Sequence, residues 1–161
     1  MTDSSTCEIE QMPARHDLYV IRESKGKGRG LFATSRIPAG TLLERAPCIR
    51  IPKSQYESHL KYTELENYVF QLSGGDVFVA LGNGSIFNHD KDPNVDYRLN
   101  DEENTVEYYA IRKNAEANEG YIESDQELCI YYGHRPEWDV YTQPENDSES
   151  ELEESGVSED S

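Results

Sequence analysis

At 161 residues the chain is long enough for one domain with a real core and too short for two comfortable ones. Its net charge of −17 argues against nucleic acid and for a basic partner. Three widely separated cysteines (Cys7, Cys48, Cys129) form no CxxC pair, no apolar run could span a bilayer, and MTDSSTCEIEQ lacks a secretory signal's apolar centre; a soluble protein of a reducing compartment is expected.

Residues 1–13 have the composition of a flexible leader. DLYVIRES then reads as a first strand, since Leu18, Tyr19, Val20 and Ile21 are β-prone. KGKGRG breaks the regularity. The stretch from GLFAT to IRIP reads as short strands interrupted at Pro38-Ala39-Gly40 and at Pro47. Over residues 54–72 the pattern changes: Tyr56, Leu60, Leu65, Tyr68, Val69 and Leu72 recur at helical spacing, and Ser54 with Glu57 forms a capping-box pattern. A helical insert is predicted there, with a break near Thr63.

SGGD at 73–76 is a turn and VFVAL a short buried strand. VDYRLN and TVEYYAIRK flank DEEN, a hairpin pattern. Residues 114–125 are a polar loop, and ELCIYYG is a last apolar strand. The sum is a mostly β (α+β) domain over 14–141 with one helical insert. Residues 142–161 form an acidic tail predicted to be disordered: the last seventeen hold eight acids, no base and almost no bulky apolar side chain, too little burial to offset ordering entropy.

Several chemistries can be weighed from the motifs. GKGRG is not a P-loop, because no Ser or Thr follows a Gly-Lys, and it enters a β-prone stretch where a dinucleotide fingerprint would open a helix. It is either a tight turn needing positive φ or a place where backbone approaches a small molecule closely. Lys25, Lys27 and Arg29 make a small basic cluster without interleaved stacking aromatics, which does not read as a nucleic-acid surface. Asp90, Asp92, Asn94 and Asp96 alternate like the first half of an EF-hand loop, but Pro93 interrupts it and Val95 stands where glycine is needed. His89, His134 and Cys129 have no metal-ligand spacing, so no metal is expected.

Taken in order, KGKGRGLFATSRIPAGT, LGNGSIFNHDKDPNVDY, YYAIRKN and QELCIYYG resemble the SET-domain family of protein lysine methyltransferases, over residues 17–138. The likeness is greatest to the short stand-alone SET proteins of fungi and bacteria. It implies a SET-type β-fold of several small sheets, with a knot-like crossing in which the SIFNHD stretch threads beneath the Tyr132 segment. It also implies methyl transfer from S-adenosyl-L-methionine to a lysine ε-amine. Free lysine has a pKa of about 10.4, so the amine must be held neutral in a narrow apolar channel and aligned for in-line attack.

By the same resemblance, Tyr132 and Tyr97 are the channel tyrosines. Lys27, Gly28, Arg29 and Gly30 form the cofactor loop, Asn88 and His89 are the Asn-His pair that contacts the cofactor's amino group and adenine, and Trp138 stacks on the adenine from the C-terminal side. Tyr108, Tyr109 and Tyr131 are packing residues. The partner is a protein with an exposed lysine, with a histone tail the leading substrate because acidic surfaces attract basic peptides; a homodimer and nuclear, or nuclear and cytoplasmic, location go with it. The alternatives are a non-catalytic peptide-docking module on the same fold, or a methyltransferase of a non-histone protein. Three departures stand out: Asp90 after the Asn-His pair, Tyr131 before the last tyrosine, and Ala46 where some members carry another channel tyrosine.

Overall fold

The β-prone opening becomes a hairpin of β1 (Tyr19–Ser24) and β2 (Gly28–Ala33), in which Ser24 pairs with Gly28. The turn is tight because Gly26 and Gly28 take φ of +74° and +78°, a region closed to most side chains. In the computed structural model, which describes residues 17–111 and 120–133, the chain continues through β3 (Ile37–Pro38), β4 (Leu42–Ile51) and a short helix α1 (Lys53–Ser58). There follow β5 (Val69–Gln71), β6 (Val77–Ala80), β7 (Asn88–His89), β8 (Val95–Asn100), β9 (Thr105–Ala110), β10 (Tyr121–Ile122) and β11 (Glu127–Ile130).

Among the described residues these strands form three small sheets: β1-β2-β11-β7, β10-β3 and β5-β6-β4-β9-β8. The predicted hairpin is β8–β9, with Val95 opposite Ala110. Strand β9 shows the expected period of two, burying Val106, Tyr108 and Ala110 while their neighbours are only partly covered. These side chains meet Leu31, Ile37, Phe78, Phe87 and Ile130 in one core. Phe87 stacks on Tyr108 with ring centroids 4.2 Å apart and planes 10° from parallel. Each such fully buried side chain contributes about 1.5–3 kcal/mol of transfer free energy.

The crossing implied by the family resemblance corresponds to a parallel pair. Strand β7 runs beside β11, with Asn88 opposite Cys129 and His89 opposite Ile130, while β11's other edge pairs antiparallel with β2. Asn94 is buried and fastens the crossing: its Nδ2 donates to Glu127 O at 2.8 Å, and its Oδ1 accepts from Cys129 N–H at 2.9 Å. The Asn94 amide thus belongs to the strand framework.

The insert is less helical than expected over 54–72, although it does break at Thr63. Only Lys53–Ser58 is α-helical; Leu60–Tyr62 and Glu64–Tyr68 are 3₁₀ turns, and Val69–Gln71 is strand β5, paired with β6. The α-helix ends at His59, and Thr63 divides the two 3₁₀ turns. Its backbone is extended, its hydroxyl donates to Leu60 O at 2.7 Å, and the same oxygen accepts from Leu65 N–H to start the next turn. The β-prone Val69 and Phe70 then follow sheet pairing over helical periodicity. Nor does the capping box form: Pro52 begins the helix, Ser54 lies inside it, and Glu57 pairs with Lys61.

The 114–125 loop is also more regular than expected at its described end, where Ile122 is buried and Tyr121 pairs with Pro38. The leader, the acidic tail and Trp138 lie outside the described residues. Among the described residues, no helix is long and apolar enough to cross a membrane.

Candidate active site

The ELCIYYG segment carries Tyr132 out of β11 to the meeting place of two cavities. One, of about 270 Å³, is lined by Phe70, Gly84, Phe87, Tyr97, Leu99 and Tyr132, among others. The other, of about 550 Å³, is lined by Lys27, Gly28, Arg29, Ile86, Asn88 and Tyr132, among others. Asn67, Tyr68, Ser85 and Tyr132 face both. The larger volume lies in the range of small-molecule pockets.

Tyr132 is held at both ends by the SIFNHD segment. Its backbone N–H donates to His89 Nδ1 at 3.1 Å, and its hydroxyl donates to Phe87 O. With that proton directed at Phe87, the phenol oxygen acts toward a cavity ligand as an acceptor. Burial raises the Tyr132 pKa well above its ordinary value, and nearby Cys129, Tyr68 and Glu127 add to the shift. Tyr97 is raised too, by burial and then by the Asp96 charge. Both phenols are therefore neutral at physiological pH. They can orient an amine, but they are not ionised bases there. The Tyr97 ring meets Phe70 edge-on at 4.9 Å, completing an aromatic wall.

The glycines of the loop have different jobs. Gly28 lies on the wall of the larger cavity with φ +78°, and nothing lies within 4 Å of where a Cβ would stand. Gly30 lies behind the wall, where a Cβ would collide with Glu127 Oε1 and come 3.0 Å from Asn88 Nδ2. Lys27 Nζ donates to His89 O at 2.9 Å, and Arg29 O accepts from Asn88 Nδ2 at 2.9 Å. The loop is thereby tied to the Asn-His pair. His89 itself is buried and bonds to protein on both its backbone and its ring.

Of the sequence-predicted residues, Lys27, Gly28, Arg29, Asn88 and Tyr132 meet at the larger cavity, and Tyr97 and Tyr132 at the smaller. Gly30 and His89 support these from behind. Trp138 falls outside the described residues. Sequence reasoning did not single out Tyr68, Ser85 or Glu127. Tyr68, expected in the helical repeat of the insert, is half exposed and lines both cavities. Glu127 could have been found from the ELCIYYG motif, where it was the charged residue leading an apolar strand.

The departures have structural accounts. Asp90 Oδ1 accepts from Asp92 N–H at 2.9 Å, a side-chain-closed turn, while Asp90 N–H donates to Ile130 O at 3.0 Å. Tyr131 packs on the His89 ring at 5.4 Å. Ala46 is buried in the core against the Gly84 backbone and is not among the cavity-lining residues. Tyr108 is a packing residue, as expected, fully buried with its hydroxyl donating to Gly84 O at 2.7 Å.

Two adjoining cavities share the wall made by Asn67, Tyr68, Ser85 and the doubly held Tyr132, a geometry that can seat two reactants side by side. A SET-domain family model matches residues 28–133. The chain is 39% identical over 123 residues, 76% of its length and 78% of the relative's, to a Schizosaccharomyces pombe protein named histone-lysine N-methyltransferase, H3 lysine-37 specific. The crystal structure of a candidate histone methyltransferase from Plasmodium falciparum superposes with a TM-score of 0.54 at 24% identity, over 73% of this chain and 94% of that one. That second likeness shows the fold.

The chain belongs to the SET-domain family of protein lysine methyltransferases. Protein-lysine methylation is its reaction, and enzymes of this family use S-adenosyl-L-methionine. The larger cavity fits such a donor: Gly28 leaves open space at its wall and Asn88 contributes a polar side chain beside it.

Proposed function

We propose that the protein methylates a lysine of a histone tail, with the donor held by Lys27, Gly28, Arg29 and Asn88 and the lysine entering past Tyr97. The observation that carries this reading is that the two cavities share Tyr132 as a wall. When bound, S-adenosyl-L-methionine supplies a methyl group on a positively charged sulfonium. The protein's part is to strip water from the lysine and keep its amine neutral among Tyr97, Phe70 and Phe87. An attacking amine must aim its lone pair at the methyl group, so its N–H groups need acceptors to the side. The Tyr132 oxygen, with its own proton given to Phe87 O, is such an acceptor, which aligns the nucleophile.

In the same reading, residues 14–141 are the catalytic domain and 142–161 an acidic tail that retains basic peptides. Trp138 closes the donor site from the C-terminal side. The protein works in the nucleus, where its substrate is, and a homodimer could complete the site. The S. pombe relative's name makes H3 lysine 37 the first position to assay. Incubation with labelled donor and mixed histones, followed by mass spectrometry, tests this. Label on a histone lysine supports the proposal and gives the number of methyls; label absent from every histone, with donor bound, overturns the histone assignment.

A further inference from the structure

Glu44 sets a carboxylate in the core, only 6% exposed, where glutamate is almost never found without partners. Strand β4 slips in register against β9 between Leu42 and Glu44, so Leu43 and Glu44 are both buried. Simple alternation would have buried one of the two.

Two donors from distant parts of the chain converge on that carboxylate. The Tyr19 hydroxyl, from β1, donates to Glu44 Oε2. Asn83, in the 3₁₀ turn Gly82–Ser85, donates through Nδ2 to the Tyr19 hydroxyl oxygen at 3.1 Å and reaches Glu44 Oε2 at 3.4 Å. None of the three residues lines either cavity, but the segments they join do. Tyr19 begins the hairpin that carries Lys27, Gly28 and Arg29 on the larger cavity. Asn83 directly precedes Gly84 and Ser85, and Ser85 faces both cavities. The turn is already pressed onto β4 and β6 at Gly84, and the Asn83 side chain adds its tie to β1.

We infer that Glu44 is a positioning residue: through Tyr19 and Asn83 it holds the hairpin of the larger cavity and the wall shared by both cavities in one register, so that the two reactants meet at a fixed distance. This rests on the reading of the larger cavity as the donor site and the smaller as the lysine channel. A carboxylate suits the task because it only accepts, which turns both donors toward it, and a charged acceptor makes the stronger bonds. A misplacement of about 1 Å between reactants can cost about 100-fold in rate, while each ligand keeps its own contacts.

The test sets turnover against binding on the full chain. It measures kcat with labelled S-adenosyl-L-methionine and mixed histones, and the Kd of S-adenosylhomocysteine by calorimetry. Glu44→Met keeps the side-chain length and removes both acceptor oxygens. Its kcat should fall about 10- to 100-fold, with Kd and the histone concentration at half-maximal rate within about threefold. Calorimetric stoichiometry reports the folded fraction, so a rate loss at unchanged stoichiometry is not unfolding. Tyr19→Phe deletes only the linking hydroxyl, should give the same kind of loss, and serves if the Met variant does not fold. Added to Glu44→Met, it should lower kcat by less than about twofold more, because the two act as one unit. Glu44→Gln, whose oxygen still accepts from Tyr19, should lie between wild type and Glu44→Met.

A kcat within about twofold of wild type in both single variants, a Kd that weakens as much as kcat falls, or losses that multiply in the double variant would overturn the inference. A wild-type chain that labels no histone would instead overturn the proposed function, and the inference resting on it.

Discussion

Tyr132 N–H donates to His89 Nδ1 at 3.1 Å, which fixes the imidazole tautomer with its proton on Nε2 and makes the buried ring a support for Tyr132. His89→Ala would leave that N–H without its acceptor, a cost of about 1–3 kcal/mol, and loosen the tyrosine. Turnover should fall at least about tenfold for a shift of 1.4 kcal/mol or more in alignment. His89→Asn sets an acceptor oxygen near the Nδ1 position and should recover part of the rate. Steady-state methyl transfer with a lysine peptide checks both, and equal rates for the Ala and Asn variants would count against the latch.

Tyr132→Phe keeps the ring and removes the hydroxyl bonded to Phe87 O. Stability should fall by about 0.5–1.5 kcal/mol, the net worth of an ordinary hydrogen bond. The rate should suffer more than the fold, because in the proposed mechanism the lost oxygen also orients the amine. Urea unfolding beside kcat and donor Kd separates the two effects; a variant with unchanged kcat would remove Tyr132 from the mechanism.

Much of this arrangement could be read in the sequence because it is local. Alternation marks β9, the Gly26 and Gly28 turn follows from spacing, and DEEN between two β-prone runs gives the β8–β9 hairpin. Motif order then placed Asn88, Tyr97 and Tyr132 together. The insert was less legible: Tyr56, Leu60 and Leu65 repeat as a helix would, yet Thr63 and the pairing of Val69–Gln71 with β6 decide its form. Glu127 was missed because its work is done on Ser24 and Asn88, partners distant in sequence that only the β2–β11–β7 order brings to it.

The buried phenols and Cys48 set the alkaline limit of stability. Burial lifts Tyr19, Tyr108 and Tyr132 above the ordinary 10.0, and lifts Cys48 from 9.0 to about 11. A raised pKa means that the folded state holds its proton after the unfolded chain has lost it. This stabilisation is full below pH 9 and falls as pH rises through 9 to 11 for Cys48, and above 10 for the phenols. Urea midpoints from these groups should be level between pH 7 and 9 and decline above; Cys48→Ala should remove the earliest part of the decline. A midpoint that rises above pH 9 would contradict the assignment.

Gly84 is required by its neighbours. A Cβ there would overlap the Ala46 Cβ, and would lie 3.2 Å from the Ala80 Cβ and 3.3 Å from the Tyr108 hydroxyl. Gly84→Ala should destabilise by about 1–3 kcal/mol. Adding Ala46→Gly should return part of that loss, because the closest contact is removed. Thermal unfolding of the two singles and the double gives the coupling, and strictly additive losses would show that Ala46 is not the residue crowded.

Asp90 closes a turn and is not among the residues that line either cavity. Asp90→Ala should cost about 0.5–1.5 kcal/mol through the lost bond to Asp92 N–H, with turnover within about twofold. A large loss of donor affinity in this variant would place Asp90 at the donor site after all.

The central claim is that donor and lysine occupy separate chambers that meet at Tyr132. A crystal structure of the full chain with S-adenosylhomocysteine and a lysine peptide tests it most directly. The account predicts the nucleoside product in the chamber walled by Gly28 and Asn88, the lysine passing Tyr97 and Phe70, and the two converging at the Tyr132 hydroxyl. Product seated in the Tyr97 chamber, or a lysine reaching it by a path that avoids Tyr97 and Tyr132, would contradict the account.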